Sequence, residues 1–215
     1  MSLNDDQTAD KNRDEPKVDR RRRPERRDEI LKAVMTLLEK GNRRVTTAEL
    51  AAEVGLSEAA LYRHFTGKDA IFQALTNYLR DHLLRPVDGG GSVSAVARLR
   101  QQFEQHLKFF ADHPGLCRIF LVEGVMTRAE SQAMSRIVQE YGRQVEKIMA
   151  AAQEAGELTA GLNLPDAANF YVGLLQAATL RFVMSGFTAS PMRELNASWG
   201  FFCRGVGVED PGAKG

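Results

Sequence analysis

The sequence predicts an all-α chain, with an N-terminal helix-turn-helix head of three helices on a larger helical C-terminal domain. Three observations predict it. Apolar residues recur at three- and four-residue spacing along most of the chain, with no alternating strand pattern and no internal repeat. Between Val45 and Lys68 two short helical patterns meet at Gly55. The charge is uneven: residues 16–85 carry 15 Lys and Arg against 10 Asp and Glu, whereas residues 86–215 carry 12 against 13. A basic head on a neutral body fits a nucleic-acid-binding module joined to a second domain.

Composition narrows the class. A chain of 215 residues with 43% apolar content holds one domain or two small ones. Two cysteines, Cys117 and Cys203, do not make a disulfide framework. The N-terminus is charged and lacks the apolar stretch of a signal peptide. The longest apolar segment, Phe170 to Phe187, is interrupted by Gln176 and Arg181, and reads as a buried helix, not a membrane span. The expected location is cytoplasmic.

Residues 1–22 are polar and charged, and are expected to be a disordered basic arm. The run Arg20 to Arg23 ends in Arg22 and Arg23, with Arg26 and Arg27 a turn later. Such an arm follows the phosphate backbone or enters the minor groove; the plainer alternative is a solubilising tail. Residues 23–68 form the head. Pro24 suits a first helical turn, and Ile30, Leu31, Val34, Leu37 and Leu38 give the first helix its apolar stripe.

Thr46 followed by Glu49 is a capping box that opens the second helix. Leu50, Ala51 and Val54 share its apolar face, and Gly55 supplies the left-handed turn. Ser57 caps the third helix, whose Leu61 and Phe65 face inward, and is counted among the expected DNA-binding residues. Two helices this short need a third to pack on. The arrangement is a helix-turn-helix, in which the third helix enters the major groove. Its start points at base edges, so Glu58 is placed to accept from a cytosine amino group, and Ala59 and Ala60 to touch a thymine methyl. Glu58 as a solvated residue favouring the helix N-terminus is the plainer alternative. The plainer alternative for Tyr62 and His64 is local packing with a polar tip.

The pattern T-T-x-x-L-A-x-x-x-G-x-S-x-x-x-L-Y-x-H-F-x-x-K resembles the TetR family of bacterial regulators, with the match covering Ile30 to Leu75. The resemblance implies an all-α, TetR-like fold: the head, then a helical regulatory and dimerisation domain. It implies backbone contacts from Thr46, Thr47, Tyr62, His64 and Lys68, and places Arg63 where members differ. Ala48 departs from the founding repressor's pattern, which puts one DNA contact in doubt. Within the family, S-E-A-A-L-Y-R-H-F looks most like the nucleoid occlusion group, which binds DNA and blocks the cell-division protein FtsZ. The segments H-P-G-L-C-R-I-F and L-R-F-V-M-S-G-F resemble that group more loosely.

Residues 69–87 read as a connecting helix stopped by Pro86, and the Gly-rich run at 88–92 marks the inner boundary. No Gly-Lys-Ser/Thr follows those glycines, so they are not a phosphate loop. Residues 88–205 form the second domain, and residues 206–215 a flexible tail. The helices expected at about 165–186 and 191–204 are apolar on more than one face, which suggests a homodimer through matching patches, with a monomer core as the plainer alternative. Two heads one helical turn apart, about 34–36 Å, then read a palindrome.

The family resemblance also implies a small-molecule effector among the central helices. Phe103, Phe110, Met126, Tyr141, Phe170 and Gln176 are candidate lining groups, with plain core packing as the alternative. Arg181 is a candidate to pair with Glu123 or Glu146 or to serve an acidic ligand, with a structural ion pair or an exposed position as the plainer reading. His106, His113 and Cys117 cross Pro114-Gly115 and lack a convincing fourth ligand, so no metal is expected. No catalytic constellation and no cofactor motif appears, which predicts a chain that is not an enzyme. The main expectation is a repressor that binds a palindromic operator as a dimer and is released by a small ligand. The alternative is nucleoid occlusion, with FtsZ as partner.

Overall fold

The computed structural model describes residues 22–40, 45–87, 93–121 and 128–208. Among these, nine α-helices and one short 3₁₀ turn account for all the regular structure. The head comprises α1 (Arg22–Glu39), α2 (Thr47–Glu53) and α3 (Glu58–His64). Ile30, Leu31 and Val34 of α1 are buried together with Leu50, Ala51, Leu61 and Phe65. Neither seven-residue helix presents enough apolar surface to persist alone, so α1 is their support. α1 begins at Arg22, within the segment expected to be an arm. Residues 1–21 lie outside the described residues.

α4 (Lys68–Leu83) leads into the body, formed by α5 (Ala95–Asp112), α6 (Pro114–Leu121), α7 (Arg128–Glu154), α8 (Leu164–Met184) and α9 (Leu195–Val206). The Gly-rich connection and the tail after residue 208 lie outside the described residues. Arg80 of α4 grips Glu140 of α7 with two hydrogen bonds, at 2.8 and 3.2 Å. The start of α5 is capped twice. Ser94 accepts from the Ala97 amide at 3.1 Å, and the Glu157 carboxylate accepts from Ala95 and Val96 at 3.2 and 2.8 Å. A carboxylate at that end also meets the positive pole of the helix.

The body core is aromatic. Phe103 meets Tyr171 edge-on at 5.3 Å, Trp199 packs on Phe202 at 5.2 Å, and the Tyr171 hydroxyl donates to the Leu99 carbonyl at 2.9 Å. α8 is half covered. Tyr171, Val172, Leu175, Ala178 and Phe182 are buried, whereas Phe170 and Leu180 are exposed, as is Met184, at 78%. On α9, Phe201 is 63% exposed. No helix among the described residues is long and apolar enough to cross a membrane.

Head and body meet where α6 crosses α1. A side chain on Gly115 would collide with the Met35 carbonyl. The Gly115 amide donates to Glu39 at 3.4 Å, and Arg118 donates to the Leu38 carbonyl at 3.4 Å. The Pro114-Gly115 pair therefore does more than close α5: it lets two helix backbones touch.

Candidate functional site

The head is held by its caps. Thr46 accepts from the Glu49 amide at 3.1 Å, and the Glu49 carboxylate accepts from the Thr46 amide and hydroxyl at 2.9 Å each. The Thr46 amide, then its hydroxyl, hold the Glu49 carboxyl below the usual carboxylate range. The left-handed turn falls on Gly55 at φ 65°, and Ser57 accepts from the Ala60 amide at 3.2 Å. α3 then presents Glu58, Ala59, Tyr62 and Arg63 outward, with Tyr62 at 49% exposure. Ala60 and His64 are half-buried, and Lys68 is exposed at the first turn of α4.

Two expected DNA contacts face each other instead of standing apart: the Thr47 hydroxyl donates to Glu58 at 2.7 Å. Arg22 and Arg23 lie in α1, and their side chains are outside the described set. Arg26 pairs with Glu29 at 2.6 Å. Arg27 corrects the arm reading. Its guanidinium lies 4.3 Å from the Phe65 ring centre and donates to the His64 carbonyl at 3.1 Å, so it fastens the end of α3 to α1. A signal was available: Arg27 precedes Ile30, Leu31 and Val34 at three-, four- and seven-residue spacing, on the inward face of α1.

Behind the head lies a cavity of about 170 Å³. Leu79 and Leu83 of α4, Phe110 of α5 and Cys117 of α6 form one side. Met134, Val138 and Tyr141 of α7 face Val172, Leu175 and Thr179 of α8, with Gln176 also on the wall. Most of the polar groups here are occupied. Tyr141 and His106 Nδ1 are joined at 2.6 Å. The Leu83 backbone engages the same imidazole, whose burial pushes its pKa down to about 3. The neutral ring therefore accepts the Tyr141 proton at Nδ1. The Thr179 hydroxyl donates to the Leu175 carbonyl at 2.8 Å. The Cys117 thiol donates to the Phe110 carbonyl at 3.4 Å, and burial pushes its pKa up to about 12.

Of the expected lining groups, Phe110, Tyr141 and Gln176 are on the cavity wall. Phe103 is not, because it is wholly buried between Tyr171 and Trp199. Phe170 faces outward on α8 and stacks on Phe202. Arg181 is exposed and donates from Nε and Nη2 to the two carboxylate oxygens of Glu194, thirteen residues on, where the chain turns back after α8. Glu146 borders an open groove with Arg143 and Asn169, and Glu123 and Met126 fall outside the described residues. His113 is held by the Phe109 carbonyl and the Tyr78 hydroxyl, apart from the His106–Tyr141 pair. Missed from sequence were Leu79, Leu83, Met134, Val138, Val172, Leu175, Thr179 and Cys117, whose apolar spacing reads only as core.

A helix-turn-helix on a helical body with an internal cavity defines a class of DNA-binding regulator. Residues 30–75 match the model for bacterial regulatory proteins of the tetR family. The chain is similar to the nucleoid occlusion factor SlmA of Aliivibrio fischeri, 33% identical over 83% of this chain and 94% of that protein. It is also similar to SlmA of Shewanella halifaxensis, 32% identical over 82% and 92%. The protein belongs to the TetR family and is a DNA-binding regulator of that family. In fold it is similar to the fatty acid degradation regulator FadR of Bacillus halodurans, with a TM-score of 0.72, 13% identity and 82% and 94% of the two chains covered. FadR of Bacillus subtilis in complex with stearoyl-CoA gives 0.69, 16%, 83% and 98%.

Proposed function

We propose that the protein is a dimer that reads a palindromic operator with two copies of α3 and leaves it when a small ligand fills the cavity. The observation that carries this reading is the cavity wall. It includes α4, which continues from the head, and α6, whose Gly115 lies on the α1 backbone. A ligand that binds better to one spacing of the heads than to another shifts the DNA equilibrium by that difference in affinity.

In this reading Tyr62, Arg63, His64 and Lys68 hold phosphates, together with the basic residues Arg22 and Arg23. Thr46 and Ser57 keep their hydroxyls on the caps and place α2 and α3. Glu58, steadied by Thr47, reads a base, with Ala59 and Ala60 against thymine methyls. The outward apolar residues of α8 and α9 fit a two-fold interface between copies. The chemistry needs no catalytic group, and the site of action is wherever the chromosome lies.

A second reading is nucleoid occlusion, with DNA as the effector and FtsZ as the partner. It is favoured by similarity to SlmA proteins that spans the body as well as the head. One experiment separates the two. The purified protein is mixed with sheared DNA from its own organism and the retained fragments are sequenced. One or a few palindromes beside promoters support the ligand-released regulator. Many sites spread along the chromosome, with co-sedimentation on FtsZ polymers, support occlusion. No enrichment at low salt sinks both.

A further inference from the structure

We propose that the cavity takes a neutral, compact, largely apolar molecule about the size of one aromatic ring, and rejects anions and long acyl chains. The inference rests on the ligand-released reading above and gives the chemistry of its ligand. Three observations carry it. The first is size: about 170 Å³ is close to the roughly 150 Å³ engineered cavity that stays dry and binds benzene. The second is charge: among the described residues, no Lys, Arg, Asp or Glu is on the wall. A carboxylate or phosphate there would lose its hydration with no cation to replace it.

The third is the scarcity of unused polar groups. Thr179, Cys117 and Tyr141 already have protein partners, as described. Gln176 differs: it is solvent-exposed on the cavity wall and shows no hydrogen bond among the described residues. An apolar ring inside, with at most one hydroxyl or carbonyl toward the Gln176 amide, matches that inventory. Cys117 and Met134 add soft, polarizable sulfur to the wall, and Met134 can shift rotamer to fit the ring.

Calorimetric titration of the full chain tests this, with phenol, toluene, indole and stearoyl-CoA as the probes. Phenol, toluene and indole are expected to saturate at one per chain, and stearoyl-CoA not to bind. Leu175→Phe fills the cavity and is expected to weaken indole at least about tenfold. Gln176→Ala removes only an exposed amide, so it tests the idea even if the first variant misfolds. It is expected to weaken phenol about threefold to tenfold and to leave toluene unchanged. Preferential binding of stearoyl-CoA, or no saturable binding of any neutral ring, overturns the proposal. Release of the retained genomic fragments is followed in parallel. Ring binding without DNA release keeps the cavity chemistry and sinks the ligand-released reading. DNA release by stearoyl-CoA alone does the reverse.

Discussion

The head and the body follow different rules. In the head, two seven-residue helices rest on α1, and their starts and the turn between them are set by contacts within one turn: the Thr46–Glu49 box, the Gly55 turn and the Ser57 cap. The body is built from helices of up to 27 residues whose positions are set by aromatic packing and by the space left between them. Local chemistry fixes the shape of the reading surface, whereas long-range packing decides where the cavity lies. A regulator needs both, joined where Gly115 lies on Met35.

The sharpest way to break that division is at the joint. Gly115→Val places atoms against the Met35 backbone, which has no rotamer to relax. A stability loss of about 2–3 kcal/mol is expected, of the size seen for overpacking. Calorimetry should show the midpoint falling by several degrees and the head separating from the body. An unchanged single transition would mean the two units are not coupled here.

Acid should act on the body first. Burial lowers His106 to about 3, and burial lowers His82, stacked on Phe109, to about 4. Both folded values lie below the unfolded 6.5, so between 6.5 and about 4 the unfolded chain binds more protons. Stability is therefore intact above pH 6.5 and falls as the pH drops toward about 4. For His106 alone the slope approaches about 1.4 kcal/mol per pH unit, and His82, half-exposed, adds less. Urea midpoints from pH 7 to 4.5 test this, and His106→Gln should flatten the curve.

Within the head, Arg27→Ala is expected to weaken DNA binding about tenfold by loosening α3, with no change in salt dependence. A drop in the salt slope of about 0.9 would instead make Arg27 a phosphate contact. Smaller still, Thr46→Ala should lower stability by about 1 kcal/mol through loss of the cap. Tyr62→Ala should leave the melting temperature within about a degree, because the ring is exposed, yet weaken every DNA sequence alike. If Tyr62→Ala instead shifts the preferred sequence, it reads a base and Glu58 is not the main discriminator.

The head was legible because its signals are short. Leu50, Leu61 and Phe65 sit inward as their spacing requires, and the caps form between residues three apart. The reading failed where a side chain reaches across the fold. Arg27 has the composition of a basic arm, but its partners His64 and Phe65 lie on α3, which only folding brings near. Phe103 and Phe170 both carry the apolar character of a pocket wall. One is locked in the aromatic core and the other faces out, because helix rotation, not residue type, decides which void a ring meets.

By itself the sequence determined an all-helical chain and a capped helix-turn-helix between Val45 and Lys68, because helix periodicity and caps act within a turn and leave their mark in neighbouring letters; the motif spanning that stretch carried the family resemblance. The tertiary structure alone decided the cavity, the pairing of Arg181 with Glu194 and the backbone contact at Gly115. These depend on where five or more helices come to rest. A void has no residues of its own to spell it, and it exists only as the difference between what the walls could fill and what they do.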